Sequence, residues 1–403
     1  LSFIEKRKAI KKVTALAEKH GMAVDPKALV RDLPVGAQQR VEILKALYRR
    51  ADILIMDEPT AVLTPQETDE LLNTMKGFAA NGVAVIFITH KLREVLAIAD
   101  KIEVLRSGKV VGTTTPAEAD QAKLAQMMVG RSVLLSVEKS ASSPKEIVLD
   151  VVGFSSDSDI GLPAIRNVDL TVRSGEIVGI AGVEGNGQRE LVEALTGIRK
   201  STATKFTIND ENAIGAGPHE IHGMHVGHVP EDREKDGLVA QYSIANNMVL
   251  NRFDEPEFSR RGIRNMDAVN SQATKLVKDF DVRTPSIKTP ANSLSGGNKQ
   301  KVVIARELSA NPSLLIASQP TRGVDVGSIE FIHSQIISAR DKGAAVLLVS
   351  AELDEVLGLS DRILVMYDGQ IVAELEGASA DRAEIGRLMA GGHSEMAEES
   401  SHG

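Results

Sequence analysis

Apolar residues in this chain gather into short runs that stop abruptly at charge. ILIM (53–56) runs into Asp57-Glu58, VAVIFI (83–88) into Thr89-His90, and LLIAS (314–318) and AAVLLV (344–349) repeat the arrangement later. Runs of this length between polar boundaries read as strands. Between them the spacing changes to that of a helix. Val41, Ile43, Leu44 and Leu47 form one face, and the next helix is capped by Thr64-Pro65 and closed at Asn81-Gly82. Strands alternating with helices predict an α/β fold with a mainly parallel sheet. Residues 1–32 are charged and helical, ending in a loop near Asp25-Pro26. The polar stretch Tyr242–Ser293 reads as a helical insertion, and residues 131–146, rich in Ser and charge, as a linker. The tail beyond Gly391 has too little apolar content to order itself.

The pattern occurs twice. Leu294 answers Leu33, Ser318 answers Asp57, Ala351 answers His90 and Gly369 answers Gly108, each pair separated by 261 positions. A constant offset across four landmarks is a tandem duplication. The expected domains are 1–130 and 147–392, with the insertion at 242–293 inside the second and a disordered tail at 393–403. The lead-in of the second copy, Ile147 onward, has no counterpart in the first. By the repeat, about 110 residues of the first copy are missing. The chain also starts with Leu1, and we read it as a piece truncated at its N-terminus.

The copies have decayed in complementary ways. The first keeps Asp57, placed to hold a metal ion, Glu58, placed to polarise an attacking water, and His90, placed to sense a γ-phosphate. The second has Ser318, Gln319 and Ala351 there, so each change removes a charge or an imidazole. The second also carries a strand, a Gly-rich turn and a helix over 176–195. Gly182, Gly185 and Gly187 let backbone N–H groups face an anion, but Gln188-Arg189 replaces the Lys-Ser/Thr of a phosphate loop. Such a loop can hold a nucleotide without helping to cleave it. The signature segments show the reverse. The second copy keeps Ser295, Gly296, Gly297 and Asn298, whereas the first has Pro34, lacking N–H and hydroxyl, and β-branched Val35. Asp325 follows the second Pro-Thr where the first copy has Thr64.

These motifs resemble those of ATP-binding-cassette (ABC) ATPases. LSGGNKQKVVIAREL is similar to the signature of fused double-cassette ATPases that drive bacterial import of ribose, galactose and related sugars. ASQPTRGVDVG with HVPEDREKDGLV (228–239) looks more like the nucleoside-importing branch. The resemblance implies two tandem P-loop NTPase cassettes, the first incomplete, with ATP and Mg2+ as ligands. It implies one hydrolytic site, from Asp57, Glu58 and His90 with Ser295, Gly296 and Gly297 of the other half, and one degenerate site. It further implies integral membrane permease subunits as partners, a solute-binding protein acting through them, and a peripheral place on the cytoplasmic face of the membrane. Glu231 stands where such cassettes usually carry a glutamine. A truncated chain of this kind is expected to be inactive alone.

Composition narrows the alternatives. The net charge of −8 disfavours nucleic-acid binding, which needs phosphate neutralisation. The basic cluster Lys6–Lys12 reads as a solvated helix face. Cysteine is absent, which excludes disulfides. No apolar run reaches the roughly 18 residues of a membrane span. A soluble tandem-cassette ATPase acting on ribosomes or DNA would carry a long basic arm or zinc-binding cysteines, and neither is present. A non-catalytic cassette module is the third reading.

Overall fold

The computed structural model describes residues 5–19, 22, 24–30, 33, 35–48, 51–60, 63, 65–106, 108–130, 139–183, 185–389 and 391. Pro34, Thr64 and the tail after Gly391 therefore lie outside the described residues, as do 131–138, the first half of the stretch 131–146. The chain divides into two compact units, 1–133 and 134–403.

The first unit contains α1 (Lys6–Lys19), α2 (Val35–Tyr48), β1 (Ile53–Asp57), α3 (Pro65–Ala80), β2 (Ala84–Ile88), α4 (Leu92–Ile98), β3 (Ile102–Arg106), β4 (Lys109–Thr114) and α5 (Gln121–Val129). Ile43 and Leu44 of the expected α2 face are buried and pack with Leu54 and Met56 of β1 and Met75 and Phe78 of α3. Asp120 caps α5 by accepting from the Lys123 N–H, and Gly130 closes it in the left-handed conformation. β1 and β2 pair in parallel and β3 and β4 antiparallel, as two separate two-stranded sheets.

The second unit opens with β5 (Ile147–Asp157), β6 (Pro163–Arg173), β7 (Ile177–Ala181), α6 (Gln188–Leu195), β8 (Lys205–Ile208), β9 (Glu211–Asn212), α7 (Pro218–Gly223) and β10 (Val226–Val229). The insertion follows as α8 (Ile244–Met248), a small hairpin of β11 (Ser259–Arg260) and β12 (Ile263–Arg264), and α9 (Met266–Asp279). The unit closes with α10 (Gly296–Ser309), β13 (Leu314–Ser318), α11 (Val326–Asp341), β14 (Ala345–Ser350), α12 (Leu353–Leu359), β15 (Arg362–Tyr367), β16 (Gln370–Glu376) and α13 (Arg382–Met389).

Its main sheet has the order β10-β13-β14-β7-β15-β16 and is parallel except for β16. Alternate residues of β13 and β14 enter opposite cores. Leu315, Val346 and Leu348 pack with Val303 of α10 and Ile336 of α11. Leu314, Ile316 and Leu347 pack with Leu191 of α6 and with Leu149 and Phe154 of an antiparallel sheet, ordered β6-β5-β8-β9. Burial on both faces is why these strands carry unbroken apolar runs. The antiparallel sheet is an addition to the parallel architecture expected from the sequence.

The repeat holds in three dimensions, since β1 to β4 lie 261 positions before β13 to β16. In the second unit β7 joins β14 to β15. No described strand does this in the first, so β2 and β3 stay unjoined and the outer face of β1 and β2 is bare. Ile55 is 65% exposed where Ile316 is 0%, and Ile88 is 53% exposed where Val349 is 1%.

Candidate functional site

In the first unit the β1–β2 register sets Asp57 beside Ile88. The residues just past these strand ends are thereby brought together. The Glu58 N–H donates to the Ile88 carbonyl at 2.8 Å, and Glu58 has a left-handed φ of 44°. A non-glycine residue in that region is strained, and strain of this kind persists only where surrounding bonds enforce it. Here it turns the carboxylate toward β2, where Glu58 Oε1 lies 2.8 Å from His90 Nδ1. The Asp57 side chain is exposed at the strand tip. The structure thus gathers the three predicted residues: an exposed carboxylate, a second, partly exposed carboxylate, and an imidazole within hydrogen-bond reach of it.

The second unit keeps the same backbone frame with different side chains on it. Gln319 repeats the left-handed φ, at 47°, and its N–H donates to the Val349 carbonyl at 2.7 Å. Its Oε1 accepts from the Ala351 backbone N–H at 3.2 Å, and Ser318 is buried at the end of β13.

The Gly-rich turn leads from β7 into α6. Gly185 and Gly187 adopt φ of 95° and 103°, open only to glycine without strain. A Cβ on Gly187 would also meet the Ala164 carbonyl oxygen at 2.8 Å. Gln188, in the place of the phosphate-loop lysine, is buried and donates to the Val183 carbonyl at 2.9 Å. It braces the loop but brings no charge to a phosphate. Gly182 precedes this turn, and a Cβ there would collide with the Gln188 side-chain amide and lie 3.0 Å from the Met366 carbonyl oxygen.

Ser295 is the N-cap of α10; its Oγ accepts from the Asn298 side-chain amide at 2.9 Å, and Asn298 Oδ1 accepts from the Arg283 N–H at 2.7 Å. Gly296 and Gly297 form the first turn. A Cβ on Gly297 would lie 2.9 Å from Asp325 Oδ2, so only glycine fits. Asp325 caps α11, accepting from the Ser328 N–H at 3.0 Å and the Ser328 hydroxyl at 2.9 Å. Signature and cap are therefore packed against each other. Glu231 accepts from the Arg322 guanidinium, Arg233 donates to the Gly323 carbonyl at 3.1 Å, and Lys299 of α10 pairs with Glu234 at 2.7 Å. Asp232 accepts from the N–H groups of Lys235 and Glu234, which holds its carboxyl below the usual range. The segment 231–234 is thus tied both to the loop before Asp325 and to the signature helix.

The model of the ABC transporter family matches residues 4–61 and 165–322. The chain belongs to the ABC transporter family. As an ABC-type ATPase it couples ATP hydrolysis to transport. It is 48% identical over 390 residues to the nucleoside import ATP-binding protein NupA of Lactococcus lactis subsp. cremoris, covering 97% of this chain and 77% of that protein. It is 44% identical to the guanosine import ATP-binding protein NupO of Bacillus subtilis, covering 96% and 76%. To the glucose import ATP-binding protein TsgD13 of Haloferax volcanii it is 47% identical, covering 95% and 70%. A solved nucleotide-free ABC cassette shares the fold with a TM-score of 0.51 at 22% identity, covering 64% of this chain and all of that one. Among the described residues no helix of this ABC ATPase is long and apolar enough to cross a membrane.

Two equivalent pairs of residues, one in each unit, escaped the sequence reading. Thr60 donates its hydroxyl to Glu94 Oε2 at 2.7 Å, and Thr321 donates to Glu355 Oε1 at 2.8 Å. All four are buried. The signal was available, because both residues recur at the offset of 261, but neither type announces a buried bond.

Proposed function

We propose that this chain is the ATP-binding and ATP-hydrolysing subunit that energises an importer of nucleosides or simple sugars. The observation that carries the reading is the Asp57–Glu58–His90 cluster, repeated in the second unit on the same backbone with each reactive group replaced. One unit then hydrolyses, and the other holds nucleotide without cleaving it. Glu58 polarises the attacking water, His90 positions the γ-phosphate, and Asp57 would hold Mg2+ through its water shell. A single exposed carboxylate fits that ion, which keeps most of its waters and takes further ligands from phosphate. Ser295, Gly296, Gly297 and Asn298 act as a signature toward nucleotide held on another phosphate loop, and Asp325 supports them.

The bare face of β1 and β2 supports reading the first unit as an incomplete cassette, lacking the strand and phosphate loop that β7 and residues 182–188 supply in the second. Names of relatives favour a nucleoside as the solute, with sugars next. The partners are integral permease subunits and, through them, an extracytoplasmic solute-binding protein; the chain works at the cytoplasmic face as a peripheral subunit.

The 403-residue chain alone is expected to release phosphate from ATP at background rate. Steady turnover that disappears in Glu58→Gln would show that the first unit is complete enough to work and that its incompleteness has been misread.

A further inference from the structure

The Glu58–Thr60 turn is held at both ends. At the first, the Glu58 N–H donates to Ile88 of β2. At the second, Thr60 donates to Glu94, which lies in the first turn of α4, and α4 starts two residues after His90. Glu58, Thr60, Glu94 and His90 therefore form a closed ring, completed by the 2.8 Å contact between Glu58 and His90. Lys91, the N-cap of α4, makes no side-chain cap; its ammonium donates instead to the Thr60 carbonyl at 3.3 Å, so the helix end is tied to the turn by Lys91 at the Thr60 backbone and by Glu94 at the Thr60 hydroxyl. A buried hydroxyl and a buried carboxyl each cost free energy unless bonded, which makes the tie expensive to break.

The second unit identifies what the tie does. Its reactive residues are gone, yet Thr321 and Glu355 make the same bond, and Gln319 and Ala351 still meet at 3.2 Å. A bond that outlives the chemistry serves the spacing of the two strand ends and takes no part in the reaction. The surroundings of the bond differ: His333 of α11 also meets Glu355, at 2.9 Å, where the first unit has Leu72, and Lys91, which donates to the Thr60 carbonyl at 3.3 Å, is replaced by Glu352 in the second.

We propose that Thr60 and Glu94 are a positioning pair that holds Glu58 within hydrogen-bonding distance of His90. Its consequence for turnover rests on the hydrolytic reading above, but the geometry is read without nucleotide. The side-chain 15N and 1H shifts of the His90 imidazole, assigned by their loss in His90→Gln, report the Nδ1 contact with Glu58. In Thr60→Val these shifts are expected to move to the values seen in Glu58→Ala. Thr60→Ser should keep the parent values, and Thr321→Val should leave His90 unmoved. Parent shifts in Thr60→Val, loss in Thr60→Ser equal to that in Thr60→Val, or a His90 response to Thr321→Val would each overturn the proposal. Should Thr60→Val unfold the first unit, Glu94 carries the test. Glu94→Gln keeps an oxygen at the same reach and should preserve the signature, while Glu94→Asp falls one methylene short and should lose it; the reverse pattern refutes the pairing. Failure here leaves the hydrolytic reading standing, since that is decided by phosphate release.

Discussion

His228 illustrates how a single side chain acquires a property its sequence position does not give it. It lies in β10 beside Glu307 and Arg306, and its Nε2 is enclosed with no hydrogen-bond partner. Burial pushes its pKa down from the ordinary value, outweighing the Glu307 charge that acts the other way. The unfolded chain then binds a proton that the folded chain refuses. Above the unfolded value of about 6.5 both forms are neutral and nothing is lost; as pH falls below it, stability drops. Urea midpoints of the parent should decline between pH 8 and 5.5 more steeply than those of His228→Gln, and parallel curves would refute this. The cluster proposed to react, by contrast, was visible in the sequence, because Asp57, Glu58 and His90 terminate apolar runs at positions where the second copy has Ser318, Gln319 and Ala351.

At the scale of elements, helix ends do double duty. Asp325 caps α11 and also forms the wall against Gly297 in the first turn of α10. Asp325→Ala should cost about 1 kcal/mol, the usual loss of an N-cap, measured as a fall in the urea midpoint of the second unit. An unchanged midpoint would mean that the cap is redundant. The expected helices and strands were legible because their periodicity and caps are local. The antiparallel sheet of β5, β6, β8 and β9 was not, since the β5–β6 pairing is interrupted by register shifts and β8 joins β5 from about 50 residues further along the chain.

Across the whole molecule, the same strand meets two environments. Ile55 and Ile316 are equivalent by the repeat, yet one is open to solvent and the other sealed between two cores. Ile316→Ala should therefore cost about 2–5 kcal/mol, whereas Ile55→Ala should stay within about 0.5 kcal/mol. Equal losses in chemical denaturation would mean that the first unit covers this face after all. The contrast also gives the incomplete-cassette reading physical content, because a strand as apolar as ILIM has a composition suited to burial on both sides.

The sequence by itself determined the duplication, the positions of the strand ends, which residues differ between the two copies at the proposed site, and the family. Those features are encoded in residue identity and spacing, which survive without coordinates. Only the tertiary structure decided which apolar faces are covered, that Thr60 meets Glu94, that Gln188 turns inward to brace its loop, and that His228 is enclosed. Each of these depends on segments distant in the chain closing over a group and removing water from it, and neither burial nor a hydrogen-bond partner is a property of a residue alone.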